Sequence, residues 1–135
     1  MKNVNKGFSL IELIIVVAIM AVLVAIIAPN LTKYLGSSKE KVDEVNKNTV
    51  KKIIEQACAL SGTKVSDPQR LGTWVELKED SEYYDSDAAD INGRMAFGKF
   101  VAMELDKEPK SKVTGKNFEV MITGSSGSSY DVQIR

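Results

Sequence analysis

The chain contains no histidine, and that one absence removes several kinds of chemistry. Ser-His and Cys-His nucleophile pairs and the usual zinc ligand sets all need an imidazole. No glycine-rich phosphate loop is present either. A single cysteine, Cys58, excludes an intramolecular disulfide, so an exported domain made from this chain must hold together by packing alone. Charge of one sign is also lacking: 18 basic and 18 acidic side chains give a formal net charge of zero. That average hides an uneven distribution: residues 62 to 135 carry ten basic and thirteen acidic side chains, and this mildly acidic part argues against a surface dedicated to nucleic acid. The paired carboxylates present carry no sign of catalysis beyond ordinary surface charge, and the chain reads as no enzyme, with no cofactor and no assigned metal site.

What the chain does have is an apolar run. From Leu13 through Ala28 every residue is Leu, Ile, Val, Ala or Met, and Phe8 to Ala28 is interrupted only by Ser9 and Glu12. At about 1.5 Å per residue such a helix is roughly 31 Å long, close to the hydrocarbon thickness of a bilayer. The spacing predicts one membrane-spanning helix. Lys2 and Lys6 precede it with no acid before Glu12, so the positive-inside rule leaves the N-terminus cytoplasmic and sends the remainder outward. An ordinary cleaved secretory signal fits poorly. Ala28 is preceded two positions earlier by Ile26 and followed by Pro29, and Glu12 sits inside the apolar region.

The stretch KGFSLIELIIVVAIMAVLVAIIAPNL resembles the N-terminus of a type IV prepilin: a short basic leader, a Gly, an aromatic residue, three small or apolar residues, a Glu and a long apolar helix. Gly7, Phe8, Glu12 and Pro29 occupy the corresponding positions, and the likeness covers residues 1 to 35. The resemblance implies that a membrane prepilin peptidase, which is also the N-methyltransferase, cuts after Gly7 and methylates the new terminus at Phe8. It implies further that Glu12 pairs with the Phe8 ammonium of a neighbouring subunit and fixes the register of a growing filament. A carboxylate placed in hydrocarbon costs about 2.5 to 3.5 kcal/mol on insertion scales, so such residues usually pair. Pro29 removes one N–H from the helix ladder and is expected to kink the helix. The family commonly has a Gly in the middle of the apolar run, whereas here there is none between Phe8 and Pro29.

Beyond Leu31 the helix is expected to continue as an amphipathic one. Leu31, Leu35, Val42, Val45, Thr49, Ile53, Ala57 and Leu60 recur at three- and four-residue spacing and predict the face resting on a folded head. Asp43 with Lys47 and Lys51 with Glu55 are i,i+4 pairs of opposite charge. Gly36-Ser37-Ser38 is a candidate bend and Ser61-Gly62 a candidate stop. Cys58, beside the stripe, reads as a small buried residue rather than a reactive thiol.

In the head, Thr73–Lys78, Asn117–Gly124 and Ser129–Arg135 read as strands, the last two forming an antiparallel hairpin around SSGSS. Phe118, Val120 and Ile122 share one face, and Tyr130, Val132 and Ile134 another. The segment 91–105 is ambiguous between strand and helix, with helix preferred. Residues 76–90 carry seven acids and one Lys, which raises a calcium site as an alternative to a solvated loop. The spacing does not match an EF-hand. Lys107, Lys110, Lys112 and Lys116 form an opposite patch, able to meet DNA or a neighbour's acidic loop but read chiefly as a solvated turn.

The expected architecture is α+β: a long N-terminal helix, half membrane-spanning and half amphipathic, packed on a small antiparallel β-sheet head. Residues 1–7 are a leader peptide, 8–30 the transmembrane and filament-core helix, 31–61 the amphipathic half and 62–135 the head. The expected role is a structural pilin subunit of a surface filament serving adhesion or motility. Its partners are copies of itself, other pilins, the prepilin peptidase, an assembly platform and the membrane, and no specific nucleic acid. The precursor is expected in the cytoplasmic membrane and the assembled subunit in an extracellular pilus. The missing disulfide suits a Gram-positive-like setting. Alternatives are a pseudopilin of a type II secretion or DNA-uptake system, or a monomeric membrane-anchored binding module.

Overall fold

The computed structural model describes residues 7–105, 107–125 and 129–135. Lys2, Lys6, Asp106 and the centre of the SSGSS loop lie outside the described residues. The elements are α1 (Leu10–Leu60), β1 (Val75–Glu76), α2 (Phe97–Leu105), β2 (Glu119–Thr123) and β3 (Asp131–Ile134). The chain divides into two compact units, 1–38 and 39–135.

In the first unit α1 carries the apolar run. Ile and Val are mediocre helix formers in water, but in lipid only a helix satisfies every backbone polar group within one segment. This helix is long and apolar enough to cross a membrane, and its apolar window is wholly exposed in the single chain. Pro29 lies inside α1, and the adjoining side chains bond to helix carbonyls: Asn30 Nδ2 donates to Ile26 O at 3.3 Å and Thr32 Oγ1 to Pro29 O at 3.0 Å. Gly36 to Ser38 remain helical.

In the second unit one hydrophobic core joins α1, α2 and the sheet. Val50, Ile54, Ala57 and Cys58 of α1 meet Val65, Leu77, Tyr83, Phe97, Val101, Phe118, Val120, Ile122 and Val132. The buried face of α1 therefore differs from the expected stripe. Leu31, Leu35, Val42 and Val45 are exposed, Ile53 and Leu60 half-buried, and Ala57 alone of that set is fully buried. The periodicity was anchored on residues continuing the membrane run. The face that meets the head is instead rotated, onto Asp43, Val50, Ile54, Ala57 and Cys58. Gly62, at φ +75°, supplies the left-handed residue just beyond the helix, while Lys64 and Val65 N–H donate to the Leu60 carbonyl at 3.1 Å.

The sheet is an antiparallel meander in the order β1-β2-β3, with Val75 opposite Val120 and Ile122 opposite Val132. Both outer-strand readings were too long, but the hairpin and its inward faces are as the alternation predicts. α2 falls inside the ambiguous segment 91–105, as the preferred helix reading has it. The Arg135 guanidinium covers the Trp74 ring at 4.3 Å and pairs with Glu119 at 2.6 Å, closing the C-terminal strand over the first.

Gly98 in α2 lies against the chain at Glu82, where an added Cβ would meet the Glu82 carbonyl oxygen at 2.6 Å. Backbone cannot yield there as a side chain would. Gly98→Ala should destabilise the protein by about 1–3 kcal/mol, seen as a lower urea midpoint for the full chain in detergent. An unchanged midpoint would show that α2 can shift away freely.

Candidate functional site

The N-terminal motif meets the start of α1. Gly7, Phe8 and Ser9 precede the helix, and the first ladder bond runs from Leu13 N–H to the Ser9 carbonyl at 3.2 Å. Ser9 is thus the N-cap and Glu12 the third helical residue, where a Glu side chain can reach back to the cap. It does so here: Ser9 N–H donates to Glu12 Oε2 at 2.8 Å. One carboxylate oxygen is engaged in this way, and the group retains acceptor capacity for another donor. The S-x-x-E spacing was legible in the sequence, although Glu12 was read only for an intermolecular role.

Gly7 is exposed, and a Cβ added there would meet nothing within 4 Å. Among the described residues nothing requires a glycine at that position. Phe8 is 86% exposed, so its ring has no packing role within the chain either.

The second organised site lies on the head side of α1. Asp43 is 8% exposed and its carboxylate clasps the loop before β2. Ser111 Oγ–H and Lys112 N–H donate to it, and Val113 N–H donates at 3.3 Å. Ser111 Oγ in turn accepts Val113 N–H at 3.1 Å and Thr114 N–H at 3.0 Å, so a single hydroxyl organises the turn. Burial opposes the charged form of Asp43. The hydrogen bonds from Ser111, Lys112 and Val113, helped by the Lys47 charge, outweigh it and hold the carboxyl below its ordinary value. Sequence reading took Asp43 for a solvent-side partner of Lys47, and that ion pair is not formed. Lys47 instead lies over the Phe118 ring at 6.0 Å. Lys51 and Glu55 do approach to 3.9 Å, both well exposed and therefore of small energetic weight.

The acidic segment uses its carboxylates largely as local caps. Glu82 Oε1 accepts the N–H groups of Gln69 and Arg70, both at 2.7 Å, and Glu79 Oε1 accepts Ser86 N–H at 2.8 Å. Asp85 Oδ1 accepts Asp87 N–H at 3.0 Å, and Asp90 pairs with Lys99 at 3.3 Å. Glu79 N–H donates to Glu108 Oε1 at 3.0 Å, which with Lys110 holds the Glu108 carboxyl below the usual range. No group of three or more metal-ligating side chains is gathered among the described residues. Cys58 is buried, and burial together with the Glu55 charge pushes its thiol up to about 12, which leaves it protonated and inert.

A capped helix with one stretch long and apolar enough to cross a membrane, joined in sequence to a small α+β head, defines the class: an anchored structural chain with no catalytic centre assigned. Residues 2–28 match the family model described as the prokaryotic N-terminal methylation motif. The chain is 41% identical over 58 residues to the prepilin peptidase-dependent protein A of Clostridium perfringens, covering 43% of this chain and 41% of that protein. It is 50% identical over 42 residues to the type IV major pilin protein PilA of Myxococcus xanthus, covering 31% and 19% respectively. A fimbrial protein of Dichelobacter nodosus is 28% identical over 141 residues, covering 93% and 86%. The matched stretch thus spans less than half the length of the first two relatives. No solved structure matches. The likeness to type IV pilins read from residues 1 to 35 therefore holds, and relatives carrying pilin and fimbrial names agree with a structural, non-catalytic chain.

The sign of the Asp43 effect fixes a pH prediction. A carboxyl held below its ordinary 3.8 in the folded state stabilises the fold fully above that value, and the contribution is lost as pH falls through the lowered native value. Thermal melting should therefore show an acid-side decline that is shallower in Asp43→Asn. Equal pH profiles for the two proteins would remove Asp43 as a contributor.

Proposed function

We propose that this chain is the structural subunit of a type IV pilus, made as a membrane-anchored precursor, cut after Gly7 and polymerised through α1 for adhesion, motility or a related surface function. The observation that carries this reading is the junction at residues 7–12. A glycine that the fold does not need stands beside an unpacked phenylalanine, at the start of a capped helix whose apolar surface has no cover within the chain.

Each part has a physical role. Glycine lacks a Cβ, so the scissile bond after Gly7 can approach the catalytic centre of a membrane peptidase closely. The cut leaves an ammonium at Phe8, and N-methylation of Phe8 keeps that charge. Glu12 pairs with the Phe8 ammonium of the adjoining subunit through its remaining acceptor capacity, because an unpaired carboxylate in an apolar bundle is expensive. Pro29 provides a flexible point where α1 leaves the membrane. Outside the bilayer, large apolar side chains such as Leu13, Ile19 and Leu23 are each worth about 1.5–3 kcal/mol on full burial, so copies of α1 replace lipid as the cover. An assembly platform draws the subunit from the cytoplasmic membrane, in which the N-terminus faces inward.

Mass and N-terminal sequence of the chain in sheared surface material of its host test the reading. A chain beginning at Phe8 and heavier by one methyl group is expected, and a chain beginning at Met1 and confined to membranes would overturn it. Gly7→Val should leave the precursor uncut on an immunoblot. Glu12→Ala should be cut but give no surface filaments. Glu12→Gln, which keeps the acceptor for Ser9 N–H but loses the charge, separates the two roles of Glu12. Filaments at wild-type level from Glu12→Gln would show that capping, and not ion pairing, is what assembly needs.

A further inference from the structure

The polar side chains that follow the apolar run of α1 are of two kinds. Asn30 and Thr32 fold back on their own helix, Asn30 Nδ2 donating to Ile26 O at 3.3 Å and Thr32 Oγ1 to Pro29 O at 3.0 Å. Donors bonded inside the helix tolerate the edge of the hydrocarbon without water. Lys33 is different. It is exposed and forms no ion pair among the described residues, and the sequence holds no acid between Glu12 and Glu40. Its countercharge has to come from outside the chain. Tyr34 follows at 73% exposure, with Leu31 and Leu35 exposed beside it. A ring with a polar tip next to a cation on an apolar stem is the combination that membrane–water interfaces favour.

The length of the helix places this pair. Glu12 and Lys33 lie about 32 Å apart along an α-helix, against a hydrocarbon layer of about 30 Å. A helix standing near the membrane normal therefore holds both charges in opposite headgroup layers at once, with Thr32 the last residue in hydrocarbon. Sliding it outward draws Glu12 into lipid, and sliding it inward draws in Lys33. Either displacement is opposed by the cost of a charge in hydrocarbon.

We propose that Lys33 and Tyr34 form a lipid-headgroup site: the Lys33 ammonium binds the phosphodiester of an outer-leaflet lipid, Tyr34 lies in the interfacial belt, and together they set the depth of α1 before assembly. This rests on the membrane-anchored reading above. A compact ammonium on a flexible four-carbon stem reaches a phosphate from the last turn in hydrocarbon. A second copy of α1 lying alongside at the same depth is a poorer partner, because residues 13 to 39 offer no carboxylate. With its depth set in this way, Glu12 stays at the inner surface in the precursor and meets apolar surroundings only when the subunit is drawn out.

The test uses the full-length chain in phosphatidylcholine vesicles, with a bimane probe on Ser37→Cys or Ala28→Cys and nitroxide lipids as quenchers of known depth. The native Cys58 is buried, and unsubstituted chain supplies the blank. The probe at 37 should be quenched chiefly by headgroup nitroxide and the probe at 28 by acyl-chain nitroxide. Adding Lys33→Leu to Ser37→Cys should raise acyl-chain quenching roughly threefold as the helix slides inward, whereas Lys33→Arg should leave it unchanged. Vesicles of a phosphate-free galactolipid should reproduce the Lys33→Leu pattern with the native lysine present. The proposal is overturned if Lys33→Leu leaves the quenching pattern unaltered, or if galactolipid and phosphatidylcholine give the same depth. Unaltered depth in Lys33→Leu together with loss of surface filaments would reassign Lys33 to a contact between copies. If the unsubstituted chain does not float with vesicles, the membrane-anchored reading itself fails, and this site fails with it.

Discussion

The constraint behind the rest of the structure is the uncovered apolar surface of α1. Residues 10 to 28 are exposed on every side in the single chain, although almost all are aliphatic. Water cannot hold such a surface, so it needs a cover from outside the chain. The capped start of the helix follows from the same constraint. An unsatisfied N–H beside hydrocarbon is costly, and Glu12 removes one such donor at Ser9. Glu12 therefore serves its own helix before it serves any neighbour.

The head solves a different problem with modest means. Among the described residues it has three short strands and one two-turn helix, with no disulfide, and it obtains its core by borrowing one face of α1. Polar anchoring supplements that packing. Asp43 ties residues 111 to 113 to a helix some seventy positions earlier in the chain, Glu79 and Asp85 settle turns between β1 and α2, and Glu82 ties that stretch back to Gln69 and Arg70 ahead of β1. The charged residues of the head are in large part its internal wiring.

Much of this was legible in the sequence, and the reasons differ from element to element. The apolar run, the glycine and the glutamate at a fixed distance carry local signals that need no tertiary information. The C-terminal hairpin was legible because its strands alternate, with Val120 and Ile122 facing inward opposite Val132. The head-facing side of α1 was misjudged, since two apolar faces run along one helix and periodicity alone does not say which meets the head. The Asp43 clasp was invisible for a simpler reason. A carboxylate four residues before a lysine looks like a surface pair, and only the fold brings Ser111 beside it. Glu12 as a cap was missed although its signal was present, because a stronger reading of the same residue was available.

Cys58 carries a last consequence. The sole thiol is buried and held protonated, so the head is joined by no bond that oxidants make or reductants break. Its maturation needs no oxidoreductase, and its integrity does not vary with the redox state of the surroundings.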